Sequence, residues 1–160
     1  MLSIRQSFKT GISFGLTSGI ITTLGLMVGL QSGTNSKIVV LGGVLFIAIA
    51  DAMSDSLGIH ISEESKKGFV VKEVWESTIA TFITKFITAL IFIIPILLFS
   101  LGLAVVINVF WGLFLIIVFN FYVAKQDKQS PFGVIFEHLL IAVLVIAVTH
   151  YLGSWVSTLK

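Results

Sequence analysis

The 160-residue chain has no cysteine, two prolines and only 11% charged residues. Without thiols there are no disulfides, thiolate metal sites or thiol catalysis, so a bound metal would have to use oxygen, imidazole or thioether donors. So few charges cannot solvate the surface of a water-soluble domain of this length. The composition is 56% hydrophobic with a mean hydropathy of +1.07, more apolar surface than such a domain can bury, and a bilayer must supply the remaining solvent. No Ser-His-Asp grouping, H-E-x-x-H pattern, P-loop or dinucleotide fingerprint occurs, so neither an enzyme nor a bound cofactor is expected. The ten Lys and Arg residues are scattered between apolar runs. They form no continuous basic face, which argues against a nucleic-acid partner despite the formal charge of +2.

What is present is a series of long apolar runs. Five of them, at about residues 11–31, 38–60, 77–100, 103–124 and 131–156, are each long enough to cross a hydrocarbon core of about 30 Å. The expected fold is all-α, an integral membrane bundle of five transmembrane helices in a single domain. Arg5 and Lys9 precede the first run as they would in a signal peptide, but no small-residue cleavage pattern follows, so the helix reads as retained. The second helix is expected to continue to Lys66 and Lys67 and stop at Gly68, and Leu101, Gly102 and Leu103 to link the third and fourth. Ser130 and Pro131 form a good helix start. Arg5, Lys9, Lys66, Lys67, Lys72, Lys125 and Lys128 fall on one side, with only Lys37 and Lys160 on the other. Positive loops stay inside, so the N-terminus is expected in the cytosol and the C-terminus opposite. An odd number of spans excludes a two-half repeat, and a pathway on a symmetry axis would need a second copy.

Two residues within the runs stand out. Asp51 and Asp55 are spaced i, i+4, which puts both carboxylates on one helix face. Counted from Lys37, Asp51 lies about 21 Å along its helix, deep in the hydrocarbon. Burial there costs roughly 2.5–3.5 kcal/mol, a cost associated with an ion, a proton or a partner base. The pair fits ion or proton handling, or a structural hydrogen bond to another helix, with Asp55 also near interfacial water. Lys85 and Glu137 are expected to snorkel to the cytosolic interface or to pair with each other. His60 and Glu64, with Glu63 alongside, could receive a divalent cation at the cytosolic end of the second helix, or simply form a solvated helix end. His138 and His150 read as packing or hydrogen-bonding residues, and Asn108 and Asn120 as interhelical hydrogen bonders. Gly11, Gly15 and Gly19, with Gly25 and Gly29 one face over, form a ridge for close packing or for a dimer axis. The nearby hydroxyls of Ser13, Thr17, Ser18, Thr22 and Thr23 can bond to their own backbone.

The stretch GISFGLTSGIITTLGLMVGL, followed by ADAMSDSLGIHISEESK, resembles the first two helices of the vacuolar iron transporter family. Gly11, Ser13, Gly15 and Leu16 match the family's G-x-S-D-G-L opening, and Ala52, Ser54, Leu57 and Gly58 match its A-x-S-M-G-L-G segment. The resemblance implies a five-helix fold, a symmetric homodimer with the pathway between paired first and second helices, and export of ferrous iron or manganese from the cytosol in exchange for protons. The family's first-helix aspartate falls on Phe14, its methionine ligand on Asp55 and its second-helix glutamate on Ile47, and a short segment over 66–76 replaces its large cytosolic domain. Two expectations follow. One is a divalent-cation transporter with Asp51 and Asp55 as ligands or proton carriers and with His60, Glu63 and Glu64 as a cytosolic inlet. Four carboxylates from two copies would suit a hard cation. The other is a transport-inactive family member acting as a scaffold or partner subunit, its axis plugged by Phe14.

Overall fold

A computed structural model describes residues 6–159; Arg5 and Lys160, both counted for orientation, lie outside the described residues. The described chain is helical with no strand: α1 (Gln6–Thr34), α2 (Lys37–Glu64), α3 (Val71–Ile91), α4 (Ile93–Leu98), α5 (Leu101–Gln126) and α6 (Pro131–Ser157). α3 and α4 together make one span, so five helical segments are long and apolar enough to cross a membrane. The side on which α1 begins is called the amino side below, and the opposite one the far side.

The helix ends follow local chemistry, and several differ from the sequence expectation. α1 closes on Asn35, whose positive φ of 47° turns the chain straight into α2. α2 stops at Glu64 rather than running to Lys67, and Ser65 donates its N–H back to the Ile61 carbonyl. Gly68, at φ 73°, is part of the following turn, where a side chain would be strained. α3 starts at Val71, six residues before the expected Ser77, so most of the 66–76 segment is helix. Glu73 in its first turn complements the exposed N–H groups there. Pro95 cannot donate to the Ile91 carbonyl, and its ring crowds that carbonyl, so the helix breaks at Phe92 and resumes as α4. Phe99 and Ser100 alone link α4 to α5, and Leu101, Gly102 and Leu103 are already helical. At this far-side turn Lys37 donates to the Leu97 and Phe99 carbonyls, a cation placed at a helix C-terminus. Ser130 and Pro131 do open α6.

α1 is the hub, packed against α2, α3, α5 and α6. Its glycines explain how one helix accommodates so many neighbours. Gly11, Gly15 and Gly19 face α3, and a Cβ on Gly11 would lie 2.4 Å from the Ser77 carbonyl oxygen. Gly25, Gly29 and Gly33 face α6, where a Cβ on Gly153 would lie 2.2 Å from the Gly29 carbonyl oxygen. Both glycine faces are therefore covered within the chain by close helix packing. Around them Ile20, Leu24, Met27, Val40, Val44, Phe92, Ile96 and Ile116 form the buried core. Asn108, fully buried on α5, donates to the Phe92 carbonyl at 2.8 Å and ties the helix break to the bundle. Asn120 bonds to Ile116 of its own helix instead of another. The outer flanks expose Phe46, Phe110, Leu144 and many other large apolar side chains, as a lipid-facing surface requires.

Candidate functional site

Three spans bring polar side chains to the middle of the bundle, two of them charged. Asp51 lies fourteen residues from the start of α2 and thirteen from its end, and Lys85 has the same position in the span Val71–Leu98. Each is thus about 21 Å from either end of its span. Ser18 sits near the middle of α1. Lys85 is only 2% exposed, and its ammonium meets both acids, at 2.6 Å from Asp51 and in direct contact with Asp55. Ser18 completes the group: its hydroxyl donates to Asp55 at 2.7 Å and accepts from Lys85 at 2.9 Å. The contact to Asp51 is ionic in kind, because its buried Oδ2 accepts no well-aligned hydrogen bond from the described residues. One ammonium facing two carboxylates leaves a formal excess of one negative charge.

The local sequence builds this arrangement. The i, i+4 spacing stacks Asp51 above Asp55 on the α2 face toward α3. Gly19 opposite has no side chain, and a Cβ there would lie 3.2 Å from Lys85 Cγ, so the bare backbone makes room for the lysine stem. The two carboxylates remain 25% and 23% exposed, open on the side away from the ammonium.

Lys85 is therefore neither an interfacial charge nor the partner of Glu137, which is exposed on α6. The earlier start of α3 accounts for the difference, since it moves Lys85 to midspan, beyond comfortable snorkelling reach. His60, Glu63 and Glu64 are not brought to the pair. His60 bonds to Thr78 on α3 at 3.0 Å and packs edge-on against Trp75, Glu63 pairs with Lys66 at 2.6 Å, and Glu64 is exposed. Among the described residues no three His, Asp or Glu side chains converge as a metal cluster would. His150 contacts Ser32 at 2.7 Å and His138 the Val134 carbonyl at 2.8 Å, both hydrogen-bonding roles. Phe14, 41% exposed, lines a groove of about 580 Å³ between α1, α5 and α6.

Reasoning on the sequence alone missed Lys85 and Ser18 as members of the site. For Lys85 the available signal was the helix-compatible run Val71–Val74, which pushes the lysine deep into the span. Ser18 offered none, because nearby hydroxyls such as Thr22 do bond to their own helix.

Five apolar spans, three of which share a charged cluster, define a multi-pass membrane protein. No protein-family model matches the chain, and no curated protein matches it.

Proposed function

We propose that the protein is a divalent-cation transporter, carrying ferrous iron or manganese out of the cytosol in exchange for protons, with Asp51 and Asp55 as the ligands. The observation that carries this reading is the midspan cluster with one negative charge in excess. Burying charge in hydrocarbon is costly and marks ion pathways, and an excess of negative charge invites a cation. Oxygen donors from two carboxylates and the Ser18 hydroxyl suit a hard or borderline divalent ion. Lys85 then acts as a tethered cation: it holds the carboxylates together when the site is empty, and an arriving ion displaces it. The choice of iron and manganese, the outward direction and a homodimer rest on the family resemblance. Glu63, Glu64 and His60 serve in this reading to raise the local cation concentration at the cytosolic face around the end of α2, not as a passage to the pair.

One observation favours a second reading, a transport-inactive scaffold or partner subunit. Lys85 reaches both acids at once and links α1, α2 and α3, as a structural staple would. Uptake of ferrous iron and manganese into proteoliposomes across a proton gradient separates the two. Transport by the wild type that Asp51→Asn and Asp55→Asn abolish, in variants that stay folded, supports the transporter. No uptake of either ion by folded wild-type protein leaves the scaffold.

A further inference from the structure

The groove between α1, α5 and α6 differs in character from the wholly apolar one between α1 and α2. Seven of its twelve lining residues are polar, whereas the groove of about 790 Å³ between α1 and α2 is lined by Leu, Ile, Val, Phe, Ala and Gly alone. A concavity filled by lipid tails has no use for hydroxyls, an amide and an imidazole in its wall. Several of these groups satisfy themselves locally, Thr10 and Thr22 on their own helix and Asn120 on Ile116. The hydroxyls of Ser13 and Thr17 have no partner among the described residues and are half-buried, which leaves them available to water. His138 Nδ1 donates to the Val134 carbonyl, so its Nε2 is left without that bond.

The tight glycine contacts between α1 and α6 lie outside the groove. The two helices touch through Gly25, Gly29 and Gly33 against Val145, Thr149 and Gly153 in the far-side half. Toward the amino side the groove lies between residues 10–22 of α1 and the amino-side ends of α5 and α6, at Asn120 and His138. One of its wall residues is Ser18, the same hydroxyl that donates to Asp55 and accepts from Lys85. A cleft with polar groups set in its wall therefore runs along the amino-side half of α1 and shares Ser18 with the ion cluster, although Asp51, Asp55 and Lys85 do not themselves line it.

We infer that this groove is the cytosolic access route of the cation, lying within one copy of the chain, and that Ser18 in its wall is the oxygen through which the ion reaches Asp55. The inference rests on the transporter reading and adds the route. Ser13 and Thr17, one helical turn apart, supply hydroxyls that replace part of the ion's water shell along the way. Phe14, Ile21, Phe119, Val123 and Val134 form the apolar remainder of the groove wall.

The absence of cysteine makes the test direct, since each substitution introduces a single thiol. Ser13→Cys and Thr17→Cys are each reconstituted as the full chain and treated with a charged, membrane-impermeant thiol reagent from the cytosolic face. Gln129→Cys in the exposed turn before α6 and Leu144→Cys on the outer flank of α6 set the upper and lower limits. The expected result is modification of both α1 thiols at rates approaching that of Gln129→Cys, and loss of cation uptake once Thr17→Cys has reacted. α1 thiols as unreactive as Leu144→Cys, the behaviour of a lipid-filled groove, would overturn the inference. So would reaction of Ser54→Cys on the exposed side of α2 with Thr17→Cys left untouched. Thiol accessibility is measured without transport, so failure of the route is separate from failure of the transporter reading, which appears as no uptake by the wild type.

Discussion

At the scale of single residues, Lys85 is the group on which the site depends. Removing one partner of a buried ion pair leaves uncompensated charge and typically costs about 3–5 kcal/mol. Lys85→Met keeps the apolar stem that lies along Gly19 but abandons two carboxylates at midspan. We expect a clear drop in the thermal midpoint of the detergent-solubilised protein, and recovery of much of it when Asp51→Asn and Asp55→Asn are added. A Lys85→Met variant as stable as the wild type would mean that the cluster contributes little. The same variant probes the site's affinity for ions, because a divalent cation can take the ammonium's place. Manganese is expected to raise the midpoint of Lys85→Met by more than it raises that of the wild type, a ligand-linked stabilisation that grows with concentration. Equal response of the two proteins argues for the scaffold. Half of this site was legible in the sequence. The spacing of Asp51 and Asp55 is a local property, readable from one helix. Their cation lies 30 residues further along and on another helix, and only the packing of α3 on α1 decides that it turns inward.

At the scale of elements, glycine decides how closely α1 is approached, and the cost of filling a glycine should depend on what faces it. Gly153 lies against the Gly29 carbonyl with no room for a methyl group, whereas Gly58 on α2 has nothing within 4 Å of an added Cβ. Overpacking of this kind costs about 1–3 kcal/mol, while an alanine in an open helical position gains about 0.5–1 kcal/mol over glycine. Gly153→Ala should therefore lower the thermal midpoint and Gly58→Ala hold or raise it, measured side by side in one detergent. Two substitutions with equal effect would contradict the α1–α6 contact. The five spans were legible in the sequence because a bilayer-length apolar run is a strong signal. Their ends were not, for reasons that differ by site. Val71 to Glu76 carries charges that read as loop, yet a helix can extend past the hydrocarbon with its polar side chains in water. Leu101 to Leu103 read as a link because the span was counted from hydropathy, while the chain turns on Phe99 and Ser100 alone. The glycine ridge was visible, but the choice between packing and a dimer axis was fixed by what α3 and α6 place opposite it.

At the scale of the whole molecule, the glycine faces of α1 are used up inside the chain, so a second copy must find another surface. The resemblance points to the α1–α2 side, and that side has the shape for it: a wholly apolar concavity lined by Gly42, Gly43 and Ile47, flanked by a Phe46 that is 75% exposed. In lipid there is no hydrophobic gain from covering such a surface, and association there depends on close packing at small residues. Gly42, where an added Cβ would meet only the Phe46 ring at 3.9 Å, supplies that, while Gly43 is already covered by Leu30 of α1; the outer flank of α6, rich in Leu and Val, supplies less. Single cysteines again give the measurement. In membranes treated with a short thiol-to-thiol crosslinker, Phe46→Cys is expected to yield a covalent dimer and Leu144→Cys to remain monomeric. Crosslinking at both positions would indicate collision rather than an interface, and crosslinking at Leu144 alone would move the contact to α6. A dimer through Phe46 sets the two α2 helices facing each other. Asp51 and Asp55 lie roughly 140° and 180° around α2 from Phe46, so each cluster stays within its own copy and the dimer acts on transport by supporting the two bundles against each other. Cation uptake would in that case fall when Phe46→Arg separates the copies, even though each keeps its own cluster. Uptake unchanged by separation would assign transport to the single chain and leave the groove along α1 as its complete inward half.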